Sequence, residues 1–264
     1  MKRAKRRSQQ GFSLIELMVS SAAFLVVAGT VLSLLVAAQK RYQTDSQILT
    51  SFQEARLGID QIVRDINDSG YPPQNQFTVL PAANLYAVSP IAWSPGYPAG
   101  PCALGVSCAS PGDFDVIVET QFDNTGVQWI RYQLPAGTTT LLRGVVPKTA
   151  GADPAAATTG AAVLLPYIQN VMNNATAAQI GAIRAAYPNM FPGGNPVPVF
   201  SYTCDVGGGA APTSCPAAGA SNAPTNVRDV EITLIVQATT SDAQTKQLRA
   251  VELNGRGRRI NPNQ

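Results

Sequence analysis

An apolar run near the start of the chain limits what this protein can fold into more than any other feature. The run has 27 residues, from Phe12 to Ala38, and carries one charged side chain, Glu16. About 20 apolar residues in a helix are enough to cross a bilayer. The run is longer than the apolar part of an ordinary signal peptide, and no A-x-A cleavage site follows it. We therefore predict a membrane-spanning helix over residues 12–38.

The 11 residues before this run, MKRAKRRSQQG, contain five Lys and Arg and no acidic residue. Basic residues beside a membrane helix favour the cytoplasmic side. We therefore expect the N-terminus in the cytoplasm and the rest of the chain, the amphipathic residues 39–69 and the head at 70–264, outside the inner membrane in the periplasm.

Glu16 is costly inside an apolar run, since a carboxylate at the centre of a membrane helix costs about 2.5–3.5 kcal/mol on insertion scales. One interpretation places its carboxylate among the headgroups of the cytoplasmic interface. The other requires a cationic partner for Glu16.

The string from Gly11 to Val19, GFSLIELMV, resembles the prepilin motif of type IV pilins and type II secretion pseudopilins. The resemblance implies that a prepilin peptidase cuts between Gly11 and Phe12, removing residues 1–11, and that the new amino group of Phe12 is methylated. Glu16 matches the family's assembly carboxylate. The amine of one subunit can then neutralise the carboxylate of a neighbour away from water, which favours one axial register.

The same resemblance implies the partners and the location of the protein. The partners are the prepilin peptidase and methyltransferase, other major and minor pilins through the N-terminal helix, the pilus assembly platform, and inner-membrane lipid before assembly. The location is a single-pass inner-membrane protein that later enters a filament at the cell surface.

The helical pattern continues through residues 39–69 as an amphipathic segment. Its apolar positions recur at helical spacing: Ile48, Phe52, Ala55, Ile59, Ile62 and Ile66. Gly70, Tyr71, Pro72 and Pro73 form a helix stop. We predict one spine helix over 12–69 whose apolar face is covered by a sheet, with a coiled coil as the alternative.

Residues 70–264 are predicted to form a head domain with an antiparallel sheet. The strongest signal is a hairpin of strands 113–122 and 127–134 around the turn at 123–126. Further strands are predicted at 139–146, 226–238 and 246–253. Loop insertions are predicted at 74–112, with short strands near 77–80 and 86–88, and at 149–226, around a short helix at 175–186. The fold class is α+β and pilin-like, and the strand pattern and the Arg-Asn tail resemble the W-class minor pilins and the J-class pseudopilins.

The four cysteines occur as two local pairs, Cys102 with Cys108 and Cys204 with Cys215. Outside the inner membrane an even number favours disulfides, and three connectivities are possible. Local pairing is the simplest. The spacings are not CxxC and the chain has no His, so we predict neither a metal site nor a cofactor.

The absence of His also removes Ser-His-Asp and Cys-His catalysis. Asp113, Asp115 and Glu119 alternate along one predicted strand, and Asp229 and Glu231 along another. We interpret both sets as the solvated side of a sheet rather than as acid–base pairs.

Two other local patterns have ordinary structural explanations. Asp123 to Gly126 is interpreted as a turn rather than a calcium loop, because it is too short for a dedicated site. Four C-terminal arginines indicate a solvated strand end or a subunit contact rather than a nucleic-acid site: Arg249, Arg256, Arg258 and Arg259. The formal net charge of +3 belongs to the leader, since removing its five basic residues from 19 Lys and Arg leaves 14 against 16 Asp and Glu.

These patterns predict a structural protein without enzymatic activity. Its size and loop content favour a minor pilin of a type IV pilus, which acts in pilus assembly and serves twitching motility, adhesion or DNA uptake. The first alternative is a J-class minor pseudopilin of type II secretion. The second is a membrane-anchored periplasmic binding module or enzyme that keeps its leader.

Overall fold

A computed structural model describes residues 12–92, 112–123, 125–204, 213–215, 227–242 and 246–259. The chain divides into two compact units, Met1–Gln47 and Ile48–Gln264. The first helix, α1, extends over Leu14–Asn67 and contributes to both units. It ends where the sequence predicts, before Gly70, whose φ of 80° is in the left-handed region that favours glycine.

The second unit contains two antiparallel sheets where the sequence predicts one. The first has the order β1-β2-β3-β4-β5 and the second β7-β6-β8-β9. The strands of the first sheet are β1 Ile91–Ala92, β2 Asp115–Thr120, β3 Gln128–Gln133, β4 Thr140–Pro147 and β5 Leu165–Gln169. The strands of the second sheet are β6 Phe200–Cys204, β7 Thr213–Ser214, β8 Val227–Ser241 and β9 Leu248–Arg258. Two further helices are α2 Pro154–Ala157 and α3 Ala177–Ala186.

The strand predictions hold best where alternating residues flank a turn. The predicted hairpin is present as β2 and β3, with Asp115 opposite Gln133 and Thr120 opposite Gln128. The predicted strands that correspond to β4, β8 and β9 are confirmed, and β9 extends five residues further, to Arg258.

The segments predicted as loops differ more from the structure. The expected short strands near 77–80 and 86–88 are wrong, because Ala87 forms only an isolated bridge with Pro73. The segment 149–226 contains α3 close to its predicted position, but it also contributes β5 and β6. Low-complexity flanks hide these two strands, since each has only five residues.

The predicted apolar stripe of the spine helix forms the centre of the second unit's core. Ala55, Ile59, Ile62 and Ile66 are each at most 5% exposed, and Phe52 is partly buried against the same cluster. Residues from both sheets belong to this cluster, among them Val118, Ile130, Tyr132, Val230, Ile232 and Leu234. The sheet partner is therefore confirmed over a coiled coil.

Helix α1 approaches β9 so closely that glycine is required there. A Cβ atom on Gly255 would lie 2.4 Å from Ile59 Cγ2, and one on Gly257 would lie 2.6 Å from Ile66 Cγ2. Such distances are shorter than carbon–carbon van der Waals contact. The Gly-x-Gly sequence of β9 thus provides a groove for the isoleucines of the helix.

A buried polar cluster ties the helix to the first sheet. Tyr132 Oη donates to Asp65 Oδ2 at 2.6 Å, and Arg143 donates to the same two atoms at 2.9 and 3.0 Å. The Arg143 guanidinium also lies 5.9 Å from the centre of the Tyr167 ring. Burial and the neighbouring Asp65 raise the pKa of Tyr132, so its hydroxyl stays a hydrogen-bond donor.

The glycine contact predicts that Gly257→Ala destabilises the head. The added methyl overlaps Ile66, and overpacking of this kind costs about 1–3 kcal/mol. The measurement is denaturant unfolding of the full chain in detergent. Gly181→Ala in α3 is the matched control, because nothing lies within 4 Å of its Cβ position. Equal unfolding midpoints for the two variants would contradict the proposed close approach.

Candidate functional site

The first turn of α1 is closed by a reciprocal pair of hydrogen bonds. Glu16 N donates to Ser13 Oγ at 3.2 Å, and Ser13 N donates to a Glu16 carboxylate oxygen at 3.2 Å. This is a capping box, in which the N-cap and the third helical residue satisfy each other's amide donors. Glu16 therefore has a defined position at the start of the helix. The Ser-x-x-Glu spacing is a known signature of this motif, so the sequence already indicates a capping role for Glu16 beside the predicted assembly role.

The apolar residues that follow are exposed in the isolated chain. Every large apolar side chain from Phe12, 83% exposed, to Val36, 48% exposed, remains open. Soluble proteins rarely expose apolar patches of more than a few hundred Å², and larger ones mark membrane or protein contacts. This surface therefore requires lipid or other proteins to cover it.

The polar side chains of this segment are compatible with such an environment. The hydroxyls that follow Glu16 each donate to a backbone carbonyl three or four residues earlier in the helix: Ser20, Ser21, Thr30 and Ser33. Such bonding removes the cost of bringing a free hydroxyl into an apolar medium. Glu16 is consequently the group in this segment for which burial is expensive.

One helix of the described residues is long and apolar enough to cross a membrane. This helix is α1, with a mean hydropathy of 2.3 over its most apolar window of 18 residues. The criterion is one of length and composition, and it agrees with the predicted span of 12–38.

Several predicted site residues lie outside the described part of the chain. They are Gly11 with the rest of the leader 1–11, and Cys102 and Cys108. Cys204 and Cys215 form the expected local disulfide, with their Cα atoms 5.0 Å apart. It joins the end of β6 to the residue that follows β7, and the Cys215 amide also donates to Tyr202 O at 2.9 Å.

The interpretation of the head carboxylates as a solvated face is wrong for Glu119. Its side chain is fully buried and pairs with Lys148, which is 1% exposed. The Val88 amide donates to the same carboxylate at 2.9 Å, and Lys148 Nζ also donates to Tyr86 O at 2.8 Å. Burial raises the pKa of Glu119, against the lowering effects of Lys148 and the amide. The alternation of β2 does not reveal this, because its last five residues are all buried.

The interpretation also fails for Asp115 and Asp229, which form cross-strand ion pairs. Arg131 Nε donates to Asp115 at 2.9 Å, and Asp115 is half-buried. The side chain of Asp229 is 3% exposed and accepts from Arg256 at 2.9 Å, with Arg258 at 4.0 Å. Two of the C-terminal arginines therefore compensate a buried acid within their own sheet. The signal was available in the sequence, since acids of β8 face the Arg-x-Arg of β9 in an antiparallel pair.

The described residues contain no group of three or more His, Cys, Asp or Glu placed to hold a metal ion. The turn near Asp123 follows its predicted role, since the Thr125 amide donates to the Asp123 carboxylate at 2.9 Å. Hydrogen bonds from Thr125 lower the pKa of Asp123, which is ordinary for a carboxylate that caps a turn.

A protein-family profile described as the prokaryotic N-terminal methylation motif matches residues 6–32. The chain carries a type IV pilin-like prepilin signal. The matched residues include Phe12 and the two residues of the capping box, Ser13 and Glu16. They continue into the exposed apolar part of α1. No curated protein and no solved structure matches the chain. The signal supports processing by a prepilin peptidase and pilin-type partners in general, and the helix that follows it is long and apolar enough to anchor the chain in a membrane. The α+β fold, a long N-terminal helix packed on antiparallel sheets, is pilin-like.

The buried pair predicts a pH-dependent defect in a Lys148→Met variant. Losing the cation leaves Glu119 buried and unpaired, which costs about 3–5 kcal/mol at pH 7. The folded-state pKa of Glu119 is then above its unfolded value of about 4.3. Stability is therefore lost as the pH rises between these two values, and the defect shrinks near pH 4.

The measurement for Lys148→Met is denaturant unfolding of the variant and the parent chain at pH 4 and pH 7. The control is the double variant Glu119→Leu/Lys148→Met, which removes both charges and is expected to lose less stability than Lys148→Met. A loss of stability of equal size at both pH values would show that the pair is not coupled. So would a double variant that is no more stable than Lys148→Met at pH 7.

Proposed function

We propose that this protein is a minor subunit of a type IV pilus. The observation that carries the proposal is the joining of a methylation motif, residues 6–32, to a helical segment whose large apolar side chains, from Phe12 to Val36, are all exposed. Before assembly the helix lies in the inner membrane, with the head in the periplasm. After removal of the leader, the subunit enters the filament through contacts with other pilins and the assembly platform.

The exposed segment supports this function because lipid tails and neighbouring apolar helices can each cover its apolar side chains. Its hydroxyls are satisfied internally, so transfer between the two environments does not require them to find new partners. Glu16 is different, since its carboxylate gains from a cation in either place. Cleavage after Gly11 supplies that cation as the amine of Phe12.

The head supports a minor rather than a major role. It contains nine strands among the described residues, in two sheets, and the chain of 264 residues is long for a shaft subunit. We assign it to the W-class minor pilins, with priming or the tip of the filament as its place. We also propose that the head has no catalytic activity, because three of the alternating carboxylates, Asp115, Glu119 and Asp229, are joined to basic partners within the fold.

The J-class minor pseudopilin of type II secretion shares the same motif and fold class. Deleting the gene separates the two functions: loss of surface pili and twitching with normal secretion supports the pilus, and the reverse supports secretion. Complementation with the wild-type gene is the control. The outcome for a binding module or enzyme that keeps its leader is that both processes continue.

The first prediction for this function concerns the N-terminus. Intact-mass spectrometry of the membrane-extracted protein should find a chain that starts at a methylated Phe12. The sample from a strain without prepilin peptidase is the control and should keep residues 1–11. A chain that starts at Met1 in the wild-type strain would reject processing, and with it the pilin function.

The second prediction concerns assembly. Glu16→Val should leave processing intact, because the cleaved bond is unchanged, but should reduce incorporation into sheared filaments by about tenfold or more, the factor for 1.4 kcal/mol. Glu252→Val is the control for loss of a carboxylate, since Glu252 is exposed on β9. Incorporation of the Glu16 variant at the wild-type level, measured by quantitative immunoblotting of filaments, would contradict the pairing role.

A further inference from the structure

The capping box directs the Glu16 carboxylate towards the N-terminus of its own helix. Ser13 N donates to this carboxylate at 3.2 Å, and Ser13 Oγ accepts from Glu16 N at the same distance. The first bond holds the Glu16 side chain, and the second fixes the Glu16 backbone amide against the Ser13 hydroxyl. The Glu16 carboxylate is therefore positioned by its own chain, without a neighbouring subunit.

This position matters because processing creates a charge beside it. If the chain is cut after Gly11, as the proposed function requires, the nitrogen of Phe12 becomes a cationic amine. Three covalent bonds separate it from Ser13 N, so the two nitrogens are less than about 4 Å apart. The new amine thus lies next to an atom that already donates to Glu16. Methylation keeps its positive charge, as it does for a lysine amine.

We propose that Ser13 is a positioning residue, which holds the Glu16 carboxylate beside the Phe12 amine of the same subunit while the processed chain is in the membrane. The pair neutralises both charges of the segment before any neighbour is present. Assembly then exchanges the amine of the same subunit for that of another. This inference rests on the proposed function and adds to it a state of the subunit before assembly.

Charge and helix geometry both favour the internal pair. An unpaired carboxylate and an unpaired amine are each costly in an apolar medium. The first turn of a helix also favours a negative group, because its free amides carry partial positive charge. Without the Ser13 hydroxyl, the Glu16 amide loses its acceptor. The helix cap that directs the Ser13 amide at the carboxylate is then weakened, so the remaining bond from Ser13 N holds the carboxylate less firmly.

The test is a distance measurement on the processed full chain in lipid vesicles. All eight Phe carry ¹⁵N and all Glu carry ¹³C at the side-chain carboxylate, and labelled chains are diluted into unlabelled ones to remove transfer between chains. The amine nitrogen is resolved from backbone amides by its chemical shift. Solid-state NMR then reports dipolar coupling between the amine and any carboxylate within several ångströms.

We expect strong coupling in the wild-type chain, the same coupling in Ser13→Thr, and a loss of at least half of it in Ser13→Ala. Ser21→Ala is the matched control, because the Ser21 hydroxyl donates only to Met18 O and its removal should change nothing. Glu16→Gln tests the assignment, since its side chain carries no labelled carboxylate and the signal should disappear.

Each result decides one step. Absence of coupling in the processed wild-type chain overturns the internal pair, and equal coupling in Ser13→Ala overturns the positioning role of Ser13. Both leave the proposed function intact. If mass spectrometry of the same sample finds residues 1–11 still attached, the proposed function fails instead, because the amine never forms.

Discussion

The exposed apolar surface of the first half of α1 is the constraint on which the rest of this protein depends. Every large apolar side chain between Phe12 and Val36 is open in the isolated chain, so the protein is complete only when lipid or other subunits cover them. The sequence meets this condition by bonding each hydroxyl after Glu16 back to its own helix. It leaves one expensive group, Glu16, at the end where the proposed processing would create a cation. Under the proposed function, the apolar surface lets the segment pass from lipid to a bundle of helices, and the single carboxylate sets its register.

The apolar face of the second half of α1 is instead buried by the sheets of its own chain. Ile59 and Ile66 fit over the glycines of β9, while Asp65 joins Tyr132 and Arg143 of the first sheet. The contact with β9 requires glycine, because a side chain would overlap the isoleucines. The contact with the first sheet is a hydrogen-bonded ion pair. Together they hold both sheets on the second half of α1.

The sequence predicts the helix and the longer strands well, because their periodicity is set by burial on one face. The stripe from Ile48 to Ile66 and the β2–β3 hairpin are clear for this reason. It does not predict β5 of the first sheet or β6 of the second, since both strands are short and lie among Ala, Pro and Gly residues. The role of Glu119 is also hidden, because its partner Lys148 lies 29 residues away and only the folded sheet brings them together. At the functional site the prepilin signal is readable, and so is the Ser13–Glu16 spacing, but the hydrogen bonds of the cap become evident only in the structure.

The contrast between Glu16 and the head carboxylates explains how a chain with few charges separates folding from assembly. Glu119, Asp115 and Asp229 each have a cation from their own fold, so their charges stabilise one arrangement and are not available to a partner. In the described part of the chain the Glu16 carboxylate accepts a hydrogen bond from Ser13 N, and this bond is easily exchanged because both groups are at a helix end. The proposed ion pair between subunits forms late, so the carboxylate must first be held by a contact weak enough to give way and ordered enough to keep it at the helix terminus. A capping box meets both requirements, and a buried salt bridge such as Glu119–Lys148 meets only the second.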